Sequence, residues 1–230
     1  MLRFPKRPPI SRETRGKCAI AMTANGPQLK KQRMSNPWLN VPLDDYEGHM
    51  SLPAVGQSQM IAEQLDRALE RWAPTNIAVI GCAGGNGLET IEGKAIERIV
   101  AVDVNPYYIE RVRTRYAQRL RGLALVCADV QSELLTYGPV DFTYAALLFE
   151  YVGVLSTLRT LKRNSRPNAV LTAVLQLPHT YKSQGRLASA MTLVAPETLR
   201  HAAADVGFVA AGKRPFIACG RLGAQNLSHV

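Results

Sequence analysis

Three short stretches carry side chains whose types and spacing could do chemistry. The first is Ile77-Ala-Val-Ile-Gly-Cys-Ala-Gly-Gly-Asn-Gly-Leu-Glu89, an apolar strand opening into a loop with Gly81, Gly84, Gly85 and Gly87. Glycine lets a backbone turn tightly and approach a ligand with no Cβ in the way. Four glycines in seven residues exceed what a plain strand-to-helix turn needs. The second is Asp103, which closes Ile99-Val-Ala-Val-Asp twenty-two residues beyond Gly81. An acid at that point, on the tip of a second strand, suits the hydroxyls of an adenosine ribose. The third is Asp129 in Leu125-Val-Cys-Ala-Asp-Val-Gln131, a carboxylate able to meet the exocyclic amine of adenine, with the Val130 backbone beside it. Aspartate also starts loops well, so that position has an ordinary reading too.

These residues need a scaffold that brings three strand ends together. Short β-type runs alternate with helical stretches from Asn76 onward. The candidate strands are Ile77–Gly81, Arg98–Asp103, Leu123–Ala128, Asp141–Ala146 and Ala169–Leu175, then Phe208–Ala211 and Pro215–Cys219. Helices are expected at Gln57–Trp72, Pro106–Arg121, Tyr151–Lys162 and Pro196–Val206. Such alternation predicts an α/β fold with a doubly wound, mostly parallel sheet covered on both faces. The last two strands lie too close for a crossover, so one of them is expected to run antiparallel. The reading divides the chain into a basic leader (1–33), a lid segment (34–56) and a Rossmann-like domain (57–230).

The glycine loop, the acids at 103 and 129 and the order of the strands resemble the class I S-adenosylmethionine-dependent methyltransferases over about residues 57–222. The resemblance implies a seven-stranded sheet with an antiparallel last strand, and S-adenosylmethionine as cofactor. It implies that Gly81, Cys82, Ala83 and Gly85 line the methionine and ribose and that Asp103 holds the ribose. It also implies that Val104 packs on adenine, that Asp129 and Val130 grip its edge, and that Leu147 flanks the sulfonium. The chain departs from the family pattern at Ala83, where a glycine is usual, and at Val79, where an acid is common. A strict dinucleotide fingerprint fails at Ala83 and Asn86. The looser short-chain dehydrogenase spacing fits Gly81, Gly85 and Gly87, but no tyrosine has a lysine four residues on.

For the methyl acceptor the candidates are fewer. Tyr46 and His49 stand one helical turn apart in the lid segment, and His49 could serve as a base or simply face solvent. Glu150 interrupts an apolar run after the fourth strand and could sit beside the sulfonium, or could equally start a helix. His179 and Tyr181 fall where the resemblance places a substrate-binding insertion. No Asn/Asp-Pro-Pro-Tyr follows the fourth strand, which lowers the expectation of a base-amine substrate.

Charge narrows the acceptor further. The net charge is +10, but residues 1–33 hold nine basic side chains and one acid, leaving +2 for the rest. The leader has four prolines and few large apolar groups, so it is expected to be disordered. A nearly neutral body favours a small organic acceptor, with RNA methylation or cofactor binding without transfer as alternatives. Arg111, Arg115 and Arg119 recur every four residues and read as a solvated helix face. Four scattered cysteines suggest a reducing, cytoplasmic setting, with no zinc site. No apolar run is long enough for a membrane-spanning helix.

Overall fold

A computed structural model describes residues 36–176 and 191–210, and the backbone of 217–219. A 3₁₀ turn, Pro37–Asn40, opens the described chain, started by the Asn36 side chain accepting from the Trp38 N–H. Helix α1 (Leu43–Ser51) follows, with Asp44 and Asp45 in its first turn, where the helix dipole favours acids. Helix α2 (Gln57–Trp72) has the predicted bounds and buries Ile61, Leu65 and Leu69.

Strands β1 (Asn76–Ile80), β2 (Arg98–Asp103), β3 (Leu123–Cys127), β4 (Val140–Ala146), β5 (Ser165–Gln176) and β6 (Ile217–Cys219) form one sheet, ordered β3-β2-β1-β4-β5-β6. Every pairing is parallel. Helix α3 (Pro106–Tyr116) connects β2 to β3, α4 (Val154–Arg163) connects β4 to β5, and α5 (Pro196–Asp205) lies between β5 and β6. The expected seven strands with an antiparallel last member are therefore corrected to six parallel ones among the described residues. Residues 208–210 form no strand, and α5 spans the sheet between β5 and β6, which is how parallel neighbours are joined.

The sheet divides two cores. Ile77 and Val79 of β1 face one side with Ile61, Leu65 and Leu69 of α2 and Val112 of α3. Ala78 and Ile80 face the other with Leu158 and Leu161 of α4 and Leu199 of α5. All five residues of β1 are buried, as a strand covered on both faces must be. Each of these burials contributes about 1.5–3 kcal/mol per large side chain. Neighbours β2 and β4 are reached by connections running in opposite directions from β1. The chain leaving the C-terminal ends of β1 and β4 therefore turns to opposite faces of the sheet and leaves a crevice, the place where such sheets bind ligands.

Candidate active site

The glycine loop is locked at its root and shaped by its neighbours. The N–H groups of Gly81 and Cys82 both donate to the Val102 carbonyl, at 2.8 and 3.1 Å. Gly85 has φ +101°, and a Cβ there would sit 2.4 Å from the Tyr116 ring. A Cβ on Gly84 would fall 2.1 Å from the Glu47 carboxylate. Both glycines are thus demanded by close approach, of a ring in one case and of an ion pair in the other. Ala83, at φ +46°, occupies the left-handed region without glycine's freedom. Its N–H donates to Asp103 Oδ2 at 2.9 Å, which holds it there.

Asp103 is 8% exposed, and its other oxygen accepts the Asn105 N–H at 2.9 Å. Burial pushes its carboxyl up to about 6, although the bonds from Asn105 and Ala83 pull the other way. A buried carboxylate held by backbone at the crevice mouth has spare lone pairs for a ligand. Asp129 also lines the crevice, but its Oδ1 accepts the Gln131 N–H at 2.9 Å. It therefore starts a turn and faces the cleft at once.

The crevice holds about 660 Å³ of space between atoms, its open mouth included. Of the predicted cofactor residues, Gly81, Ala83, Asp103, Val104, Asp129, Val130 and Leu147 line it. Cys82 does not: it is 1% exposed and packs in the core on the α2 side. Gly85 does not line it either, being turned against Tyr116. Tyr46 lines the cleft, whereas His49, on the same helix, is exposed and outside it. One turn of α1 separates them, but the helix axis runs so that Tyr46 alone faces inward. Glu150 is buried yet absent from the lining, its carboxyl turned to the end of β5. His179 and Tyr181 lie outside the described residues.

The lining includes residues that sequence reading did not single out. Trp38, Tyr108 and Tyr151 join Tyr46 around the cleft. The Trp38 ring meets Tyr46 edge-on at 5.6 Å and Tyr151 at 4.9 Å. Four contacts fasten the segment before α2 across the cleft. Asn105 Nδ2 donates to the Trp38 carbonyl at 2.8 Å, and the Tyr108 hydroxyl donates to the Val41 carbonyl at 2.9 Å. Asn86 Nδ2 donates to the Tyr46 hydroxyl at 3.1 Å, and Arg115 forks onto Glu47. Arg115 also donates to the Gly84 carbonyl at 2.9 Å. This arginine is therefore a structural tie between helix α1 and the glycine loop and not one of a solvated row. An Asn-Pro-Trp start was the available signal for Trp38; the tyrosines had none beyond their polarity.

Residues 78–173 match the family model for a methyltransferase domain. No curated protein sequence matches the chain. Among solved structures, the chain is similar to the [4+2]-cyclase SpnF at 17% identity and a TM-score of 0.52, covering 64% of this chain and 57% of that one. The chain thus spans little more than half the length of that relative. It is also similar to the N-methyltransferase NodS from Bradyrhizobium japonicum WM9, at 18% identity and a TM-score of 0.48, over 64% of this chain and 80% of that one. At these identities the likeness to SpnF shows the fold.

Proposed function

We propose that the chain, whose residues 78–173 match a methyltransferase domain, is a class I S-adenosylmethionine-dependent methyltransferase that moves a methyl group to a small organic acceptor. The observation that carries this reading is Asp103, buried at the crevice beside the glycine loop with both oxygens oriented by backbone N–H groups. Its position and protonation chemistry fit the ribose of the cofactor. Gly81 and Ala83 would take the methionine end, Val104, Asp129 and Val130 the adenine, and Leu147 the region of the sulfonium. Cys82 and Gly85 support the loop from behind. Bound S-adenosylmethionine supplies a methyl group already activated on positive sulfur. What remains for the protein is alignment, which can contribute about 7–11 kcal/mol.

The acceptor side follows from the walls. Trp38, Tyr46, Tyr151, Leu147, Leu148 and Val152 make an apolar, aromatic boundary. The charged side chains among the described lining residues are Asp103 and Asp129, both acids. Carboxylates repel a polyphosphate chain, and nucleic-acid sites are basic. An apolar or amine-bearing small molecule fits this boundary better than RNA. The lid role for residues 34–56 is supported by the four fastenings of that segment across the cleft.

Calorimetric titration with S-adenosylhomocysteine, with NADH as control, tests the cofactor. Saturable heat with the first and none with the second is expected; no heat with S-adenosylhomocysteine overturns the reading. The fold also serves a [4+2]-cyclase, so turnover needs its own measurement. Formation of S-adenosylhomocysteine from methyl-labelled cofactor in an acceptor screen distinguishes an enzyme from a protein that binds the cofactor without transfer.

A further inference from the structure

Glu150 stands in the turn after β4 and is 1% exposed. Its Oε1 accepts the backbone N–H of Gln176, the last residue of β5, at 2.5 Å. Its carbonyl accepts the N–H of Thr192, ahead of α5, at 2.8 Å. One residue therefore joins a turn, the end of a strand and the approach to a helix. Oε2 is buried and has no hydrogen-bond partner among the described residues. Burying a carboxyl is costly, and an apolar side chain would fill the same space without that cost. Burial also raises the pKa of this acid, against the pull of the Gln176 N–H.

The turn it anchors supplies much of one wall of the cleft, through Leu147, Leu148, Tyr151 and Val152. Leu147 has φ +51°, a region a leucine holds only when its surroundings impose it. One imposing contact is its own N–H to the Val174 carbonyl at 2.8 Å, and the Glu150 link to Gln176 lies two residues further along β5. Tyr151 follows Glu150 directly, and its ring meets the edge of Trp38 at 4.9 Å. We propose that Glu150 is a positioning residue for the methyl transfer proposed above: by tying its turn to Gln176 and Thr192, it sets where Tyr151 and Leu147 stand in the cleft. It acts through those residues and touches neither cofactor nor acceptor. The inference rests on the methyltransferase reading for its consequence, while the anchoring itself stands on the contacts.

The test uses the full chain in a Trp72→Phe background, which leaves Trp38 as the sole tryptophan reporter beside Tyr151. Glu150→Gln keeps an acceptor oxygen at the same reach. Glu150→Asp keeps the charge but is one methylene shorter, and Glu150→Ala removes the group. The Gln variant is expected to match the parent in Trp38 emission and to bind S-adenosylhomocysteine within about twofold. The Asp and Ala variants are expected to shift Trp38 emission and to bind about tenfold more weakly, as the loss of an anchoring bond implies. A purely structural role would lower the melting temperature and leave Trp38 emission in the folded protein unchanged. The proposal is overturned if Asp behaves like the parent while Gln does not, or if folded Ala keeps the parental emission and affinity. Should the Ala variant not fold, the Gln and Asp pair decides by the same criteria. If the parent itself fails to bind S-adenosylhomocysteine, the methyltransferase reading falls, and the emission comparison still judges the anchor.

Discussion

Asp103→Asn separates the charge of this side chain from its shape. In the native protein, Oδ2 accepts the Ala83 N–H and Oδ1 the Asn105 N–H, both at 2.9 Å. Burial raises the carboxyl to about 6. Ribose hydroxyls donate more strongly to the ionised form, so cofactor-product affinity should climb with pH through that value and then level. At pH 5 only about one-eleventh of the carboxyl would be ionised, a penalty of about 1.4 kcal/mol, or tenfold. The asparagine has one acceptor oxygen for two backbone donors, so its amide nitrogen must face one of them. Loss of charge-assisted bonding should cost about 1.5–3 kcal/mol, roughly 10–150-fold, at pH 8. Calorimetry with S-adenosylhomocysteine at pH 5, 6, 7 and 8 and constant ionic strength reads both effects. The wild type should gain affinity up the series and the variant should be flat, so the gap narrows towards pH 5. A flat wild-type profile, or equal affinities at pH 8, would refute the assignment of the ribose to Asp103. Stability carries the opposite sign. A carboxyl whose folded pKa lies above its unfolded value holds its proton more tightly when folded. Its contribution is therefore largest below about pH 4 and declines as pH rises towards 6, by at most about 3 kcal/mol. Melting temperature against pH should show that slope in the wild type and lose it in the variant.

Gly85→Ala should destabilise the fold by about 1–3 kcal/mol, because the new methyl would lie 2.4 Å from the Tyr116 ring at φ +101°; urea unfolding measures it. Glu47→Gln weakens the fork to Arg115, whose pKa is raised chiefly by that hydrogen bond. The pair is partly exposed, so stability should fall by less than about 1 kcal/mol. Binding of S-adenosylhomocysteine should weaken severalfold if the segment before α2 closes the cleft, and unchanged binding would argue against a lid. His49→Ala, altering an exposed side chain outside the cleft, should leave that affinity unchanged. A chain beginning at Met34 loses +8 of the +10. It should bind the cofactor product as the full chain does, whereas any RNA affinity should collapse together with its salt dependence in filter binding.

What the sequence alone determined was local and periodic. The β1 to β5 runs and the four long helices follow from apolar spacing, and Gln57–Trp72 and Arg98–Asp103 have their predicted bounds. The glycine loop, Asp103 and Asp129 were readable because backbone chemistry confines such residues to strand ends and turns, and the sheet then collects those ends at one crevice. Tertiary structure decided whatever depends on which way a side chain leaves its element. Cys82 and Gly85 sit in the right loop but face the core and a tyrosine ring. His49 and Tyr46 share a helix, yet the packing of α1 turns only Tyr46 inward. Trp38, Tyr108 and Tyr151 come from three separated segments, and nothing in their spacing announces that they meet. Arg115 reads as one of a solvated row until Glu47 and the Gly84 carbonyl, distant in sequence, are folded against it. The direction of the last strand was likewise non-local. It depends on α5 serving as the crossover between β5 and β6, a choice made by packing against Leu158 and Leu161 and not by any residue in the strand itself.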